Sequence, residues 1–249
     1  MSKPWYRKTF LWGQVNLTEN DPKECDLDFW KDYWKRTGVE GVIINCGGIV
    51  SYYRSRFPYQ YRALGLGEKD YFGIWNEAAR QANLAVIARM DISCTTRDIY
   101  DRHPDWYCMD KEGNPILSQE RYAACVNGGY YHEFIPQVFR EIIESYHPDG
   151  FADNSWAGPG MKTICYCENC RRRFREDTGC NLPDEPDWED SIYRKWIRWS
   201  FELRVSNWKL FNEVTTRYGG GDCKWFGMVN ADPFSTGGRF YDMRRLLED

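Results

Sequence analysis

Short β-branched or apolar runs alternate with longer stretches of helical periodicity along the whole chain, and this alternation constrains the fold most. A parallel strand pair needs a crossover, and a helix supplies it, so repeated βα units predict a parallel sheet covered by helices. Residues 10–16 read as the first strand. A helix follows from Asp26, with Phe29, Trp30, Tyr33 and Trp34 on one side and Gly38 as its stop. Residues 41–46 are a continuous apolar run, as in a strand buried on both faces. Tyr71, Ile74, Trp75, Ala78 and Ala82 keep helical spacing over 70–83, and 84–91 is the third strand. Phe134, Val138, Ile142 and Tyr146 mark a third helix, and 150–155 a fourth strand. A long helix over about 190–218 ends at Gly219, Gly220 and Gly221, before a fifth strand at 224–230 and a fifth helix at 241–249.

The segments after strands, such as 51–69 and 93–129, are long and aromatic, whereas those after helices are tight. In (β/α)-barrels the loops at the strand C-terminal ends carry the chemistry, which gives this asymmetry. A doubly wound sheet would place a Gly-rich phosphate loop after its first strand, and Asn16-Leu17-Thr18-Glu19-Asn20 is no such loop. The expected fold is therefore α/β, a (β/α)8 TIM barrel. The chain has 249 residues, the length of a complete barrel of about 250, yet five βα units already occupy it. The expectation is a single domain over 1–249 forming the N-terminal portion of a barrel, truncated after about five units. An open sheet edge predicts self-association as a homo-oligomer.

With 33 basic and 37 acidic residues the net charge is -4, both signs interleaved, which argues against a nucleic-acid or membrane partner. The N-terminus has no apolar stretch behind its positive charges, so no secretory signal is read and a cytoplasmic location is expected. Aromatic residues reach 17%, and Trp and Tyr join an apolar ring face to a polar handle, which suits sugar rings as well as cores. No Gly-x-Ser-x-Gly elbow, P-loop or dinucleotide fingerprint occurs.

The most specific pattern is Cys165-Tyr166-Cys167-Glu168-Asn169-Cys170. Three thiolates at this spacing can converge on one tetrahedral zinc ion, whose fourth ligand must come from elsewhere. Cys180 is near in sequence, while Cys125 precedes the helix that feeds the fourth strand. With four protein ligands such a site is structural. An open coordination position would make it a zinc-dependent hydrolase instead.

Carboxylates recur at strand ends: Asp91 closes the third strand, Asp153 the fourth, and Asp232 follows the fifth. Glycoside hydrolysis needs two such groups, about 5–5.5 Å apart for retention and about 6.5–9.5 Å apart for inversion. Asp153 stands out because it puts a charge at the end of an apolar strand. Arg89 and Asp91 share a strand face and form a pair that either orients a catalytic carboxylate, holds a sugar hydroxyl or is purely structural. His103 lies in a long loop of the kind that lines a barrel mouth. Trp106, Tyr131, Trp156 and Trp225 are candidate stacking platforms.

The run Ala124-Cys125-Val126-Asn127-Gly128-Gly129-Tyr130, the strand Gly150-Phe151-Ala152-Asp153-Asn154-Ser155 and the cysteine triple with Arg171-Arg172-Arg173-Phe174 resemble glycoside hydrolases. They are similar to the family 42 β-galactosidases and more closely to the "hypothetical glycosyl hydrolase 6" group. His103-Pro104-Asp105-Trp106 and Asp110-Lys111-Glu112-Gly113-Asn114-Pro115 also resemble that group and α-L-fucosidase-like barrels. The resemblance covers residues 85–180 well. It implies Cys125, Cys165, Cys167 and Cys170 as ligands of a structural zinc. It implies an Asn-Glu pair after the fourth strand, but the matching residues are Asn154 and Ser155, and serine cannot serve as acid/base. The available carboxylate, Asp153, then resembles the strand-four nucleophile of the fucosidases.

The resulting expectation is a retaining glycosidase with a carbohydrate substrate, Asp153 as nucleophile and Asp232 as acid/base. Arg89, Asp91, His103, Trp106, Asn127, Asn154, Trp156 and Asn230 would bind the sugar. The alternative is a barrel that binds carbohydrate, or serves as a scaffold, without hydrolysing it.

Overall fold

The computed structural model describes residues 4–58, 60–153, 158–227, 233–246 and 248. In chain order the strands are β1 (Trp12–Gln14), β2 (Gly41–Gly48), β3 (Ala85–Asp91), β4 (Cys94–Thr95), β5 (Leu117–Ser118), β6 (Arg121–Ala123), β7 (Gly150–Asp153) and β8 (Lys224–Gly227). The α-helices are α1 (Leu27–Thr37), α2 (Tyr71–Gln81), α3 (Arg97–Tyr100), α4 (Ile135–Tyr146), α5 (Glu168–Thr178), α6 (Ser191–Gly219), α7 (Pro233–Gly237) and α8 (Met243–Leu246). The chain divides into two compact units. One comprises Met1–Asp91, Gln137–Asn154 and Glu213–Met228, the other Ile92–Pro136, Ser155–Asn212 and Val229–Asp249.

The first unit holds a five-stranded sheet in the order β1-β2-β3-β7-β8, every pair parallel. The strands follow one another across the sheet without reversal, so the order is that of a barrel wall rather than of a doubly wound sheet. β2 is buried along its whole length, as its apolar run predicts. Its helices start and stop where the sequence places them. Asp26 caps α1 by accepting from the Phe29 amide (3.0 Å), and Gly38 ends it with φ 68°, a conformation that favours glycine. Asp70 caps α2 through the Gly73 amide (3.0 Å) and also accepts from the Tyr146 hydroxyl of α4 (2.9 Å). One sheet face packs Ile43, Ile87 and Ala152 against Trp5, Trp12 and Phe226. On the other, Phe139 of α4 meets Phe151 (5.0 Å between ring centroids) and Trp225 (5.3 Å).

The first strand is shorter than the sequence predicts. The Phe10 and Leu11 amides donate to the Glu40 carboxylate (2.6 and 3.1 Å) instead of entering the ladder, and both side chains are exposed. The predicted fourth and fifth strands agree with β7 and β8 as far as residues 153 and 227, and their remainders lie outside the described residues. Where a helix over 241–249 is expected, the described helix is the single turn of α8.

The second unit carries an antiparallel sheet in the order β4-β6-β5, a wide π turn at Tyr130–Phe134, α5 and most of α6. The sequence reading misses the small sheet because strands of two or three residues show no period. It misses α5 because that helix is polar nearly all round, with only Cys170 and Phe174 buried. Among the described residues, no helix is long and apolar enough to cross a membrane.

Candidate functional sites

The second unit gathers the cysteines. Cys125 follows β6, where its amide donates to the Trp106 carbonyl (2.9 Å) and its carbonyl accepts from the Gly128 amide (2.9 Å). This turn lies hard against Trp106: a Cβ at Gly128 would sit 2.6 Å from the Trp106 carbonyl oxygen, and one at Gly129 would sit 2.3 Å from the indole nitrogen. Cys167 occupies the N-cap position of α5 and Cys170 its first turn, where the positive end of the helix dipole favours a thiolate. The loop that brings them is pinned at Tyr166, whose amide donates to Met109 O (2.8 Å) and whose hydroxyl donates to Asp184 O (2.7 Å).

The sulfurs of Cys125, Cys165, Cys167 and Cys170 all lie within 4.8 Å of one another, and all four residues are buried. Cys125 Sγ is 3.4 Å from Cys170, 3.5 Å from Cys167 and 3.9 Å from Cys165. Tetrahedral zinc with bonds of about 2.3 Å separates its sulfurs by about 3.8 Å, so the set fits a metal such as zinc. Contacts from the neighbouring thiols, Cys108 first, hold the Cys165 thiol well below the usual range. Cys125 is pushed well up by Cys108 and Cys165, and Cys170 by Cys125 and Cys165. Four sulfurs this close share protons among themselves, and either member of a pair can donate. A divalent cation would replace those protons. Cys180 is not in the set, and accepts instead from Lys195 Nζ (3.1 Å).

Asn127 serves this cluster. Its side-chain Nδ2 donates to Cys170 Sγ (3.2 Å), its backbone amide to Cys125 Sγ (3.4 Å), and its side-chain Oδ1 accepts from Arg173 (3.0 Å). By sequence it is expected to bind sugar. Trp106 is 7% exposed, stacked on His103 (3.9 Å, 8° between planes) and on Phe134 (5.9 Å), so it packs in the interior. Tyr131 is buried, with its hydroxyl on Ile92 O (2.8 Å).

The same unit has an open cleft of about 630 Å³, which the sequence reading does not identify. Trp188, Tyr193 and Phe234 line it with Lys162 and Arg239, and none of its described lining residues bears a carboxylate. Trp188 is 57% exposed and braced edge-on by Tyr193 at 5.4 Å.

In the first unit, Arg89 and Asp91 pair across one strand face, and Arg89 Nη1 also donates to Asn16 Oδ1. Gln14 Nε2 donates to the same Asn16 oxygen (2.6 Å), and Asn45 lies beside Arg89 in register. This polar patch sits at the C-terminal ends of β1–β3. Asn16 and Gln14 joined it unseen, since a strand residue carries no sign of what crosses to it. Burial pushes the Asp91 carboxyl up, and Arg89 pulls the other way.

Asp153 ends β7 and is buried, at 6% exposure. It pairs with Met90 and Gly227, so strand alternation puts it on the face of Phe151, opposite that of Arg89 and Asp91. Trp225 is also on that face and buried. Asp232, Asn154, Trp156 and Asn230 lie outside the described residues.

Solved glycosidases share this fold. The α-L-fucosidase isoenzyme 2 from Paenibacillus thiaminolyticus superposes with a TM-score of 0.65 and 15% identity, over 90% of this chain and 32% of its own. The β-galactosidase from Bacillus circulans sp. alkalophilus gives 0.59 and 14%, over 88% and 37%. The catalytic domain of the β-amylase from Paenibacillus polymyxa gives 0.62 and 13%, over 95% and 73%. The chain thus spans about a third of the length of the fucosidase and the galactosidase. These likenesses establish an α/β fold that follows TIM-barrel glycosidase catalytic domains over part of their length. No curated protein matches the chain in sequence. Residues 29–155, just over half of the chain, match the family model described as "Hypothetical glycosyl hydrolase 6", and the chain belongs to that family.

Proposed function

We propose that the protein hydrolyses a glycosidic bond with retention of configuration, with Asp153 as nucleophile and Asp232 as acid/base. The observation that carries the reading is a buried carboxylate closing a central parallel strand, in a family described as hypothetical glycosyl hydrolases. The C-terminal ends of barrel strands are where this fold places its catalytic side chains. The patch of Gln14, Asn16, Arg89 and Asp91 offers donors and acceptors to sugar hydroxyls. The cleft bearing Trp188 offers a ring face. The four thiols hold a structural zinc that fixes the Cys125 turn to α5, a role suited to a reducing cytoplasm.

A second assignment exchanges the nucleophile for Asp91, because Asp91 shares its face with the polar patch and Asp153 does not. Turnover of a panel of aryl glycosides by the wild type, Asp153→Asn, Asp91→Asn and Asp232→Asn decides between them. Loss of a covalent step only in Asp153→Asn, with azide rescuing Asp153→Gly, supports the first assignment, and full activity of Asp153→Asn overturns it. Binding of glycans without turnover in the wild type favours a non-hydrolytic carbohydrate-binding barrel, for which Ser155 in place of a glutamate speaks.

A further inference from the structure

Arg204 of α6 is 4% exposed. Its Nη2 donates to the Pro159 carbonyl (2.9 Å), and its guanidinium carbon lies 5.4 Å from the centroid of the Phe240 ring. Its Nε is buried without a hydrogen-bond partner. Gly158, with φ 69°, leaves room for it: a Cβ there would come within 2.9 Å of Arg204 Nη2. Arg204 lines a small cavity of about 20 Å³ together with Cys108, Cys125, Cys165 and Cys170. No carboxylate is among the described residues that line it.

A guanidinium keeps its proton even when buried. Taking such a charge out of water is costly unless an opposite charge faces it. The Phe240 ring supplies part of that stabilisation, and a cavity of this size can hold one water to satisfy Nε. Neither supplies a negative charge. Burial pulls the guanidinium pKa down, and Tyr241, Tyr131, Cys108 and Cys125 oppose it.

The cysteine cluster has the opposite need. Four thiolates around one divalent cation form a dianion. The amide of Asn127 and the N-terminus of α5 touch it with partial positive charges, and the Arg173 guanidinium bonds Asn127 Oδ1 rather than a sulfur. We infer that Arg204 is the counter-cation of the metal-loaded four-cysteine cluster, so that metal affinity depends on its positive charge. This rests on the metal reading of Cys125, Cys165, Cys167 and Cys170. Arg204 contributes no ligand atom. It is a positioning residue that neutralises part of the charge of the site, and the buried cation and buried anion each make the other tolerable.

The test uses the full chain, reduced, with Zn²⁺ and Co²⁺ as probes. Zinc affinity is read by competition against a chromophoric chelator, and the thiolate-to-cobalt absorption reports the ligand set. The wild type is expected to bind one zinc ion. Arg204→Met is expected to bind it about 10–100-fold more weakly, the loss typical of outer-shell partners. Arg204→Lys, which keeps the charge, should retain most of the affinity and the cobalt spectrum of the wild type. Arg204→Met within about twofold of wild-type affinity overturns the inference, as does Arg204→Lys losing as much as Arg204→Met. If Arg204→Met does not fold, Arg204→Lys and Arg204→Gln are compared, and equal zinc retention by the two overturns it. A reduced wild type that binds neither ion overturns the metal reading itself, which separates the two failures.

Discussion

Two residues apart on β3, Arg89 and Asp91 lock side chain to side chain: Arg89 Nε lies 3.2 Å from Asp91 Oδ1, and Nη2 lies 3.1 Å from Oδ2. The Asp91 side chain is 24% exposed, and burial raises its pKa in spite of the neighbouring guanidinium. The folded-state pKa therefore lies above that of the unfolded chain, near 3.9. Ionised Asp91 costs the native state stability. The cost is absent below the unfolded pKa, grows between the two values and is complete above the folded one. Asp91→Asn removes the cost and leaves Arg89 an amide oxygen to donate to. We expect it to melt higher than the wild type at neutral pH, by about 2–4 °C for each kcal/mol relieved. The advantage should vanish below about pH 4. Loss of activity with this gain would mark a site held at the expense of stability. A lower melting temperature at neutral pH would show that Arg89 needs an anion more than Asp91 resists being one.

What the sequence made legible follows from period and spacing. The βα alternation gave the parallel sheet, Asp26, Gly38 and Asp70 gave helix ends, and the C-x-C-x-x-C run gave three members of the cysteine cluster. What stayed hidden depends on contacts between distant residues. Nothing in the run around Arg204 distinguishes it from the surface arginines of α6, and only its burial beside the sulfurs does. Asn127 and Trp106 resemble sugar ligands by type, but folding turns one toward Cys170 and covers the other with His103. The cleft beside Trp188 is built from five separate segments, which no local pattern announces.

Glu141 is a further buried carboxylate that periodicity missed, since it sits on α4 next to the apolar stripe. It accepts from the Tyr53 hydroxyl (2.7 Å), the Ser55 hydroxyl (2.7 Å) and the Arg56 amide. One side chain thus fixes the loop after β2 to a helix more than eighty residues away. Glu141→Ala strands the buried Tyr53 hydroxyl, a loss of about 1–3 kcal/mol, and two half-buried donors, the Ser55 hydroxyl and the Arg56 amide, that water can reach. Urea unfolding should show a loss of about 1–3 kcal/mol, and a much smaller loss for Glu141→Gln, which keeps an acceptor. A change within about 0.5 kcal/mol for Glu141→Ala, the range of ordinary surface substitutions, would mean that water replaces the carboxylate there.

Cys125 and Cys180 make a direct comparison, because each is a cysteine close in sequence or space to the triple and only Cys125 joins it. Cys125→Ser should abolish tight zinc binding and raise hydrogen exchange in the Cys125 turn and at the start of α5. Cys180→Ser should leave both unchanged. Mass spectrometry of the intact protein under native conditions reads the first, and exchange by peptide the second. Zinc lost equally from both variants would refute the four-cysteine assignment.

Trp188 and Trp106 have the same side chain in opposite circumstances. Trp188 is 57% exposed in the cleft, so Trp188→Ala should change stability by no more than about 0.5 kcal/mol. Its ring face is the one a sugar would stack on. Removing it should weaken glycan binding about 3–10-fold, the equivalent of one aromatic contact of about 0.5–1.5 kcal/mol. Trp106 is 7% exposed, with the His103 and Phe134 rings stacked against it. Trp106→Ala should cost about 3–5 kcal/mol of stability through the cavity it leaves. Its effect on glycan affinity should disappear once the comparison is made on folded protein. Calorimetric titration with oligosaccharides, paired with thermal melts of each variant, separates the two roles. If Trp188→Ala binds as the wild type does and folded Trp106→Ala does not, the sugar platform lies at Trp106 and the cleft is not the glycan site.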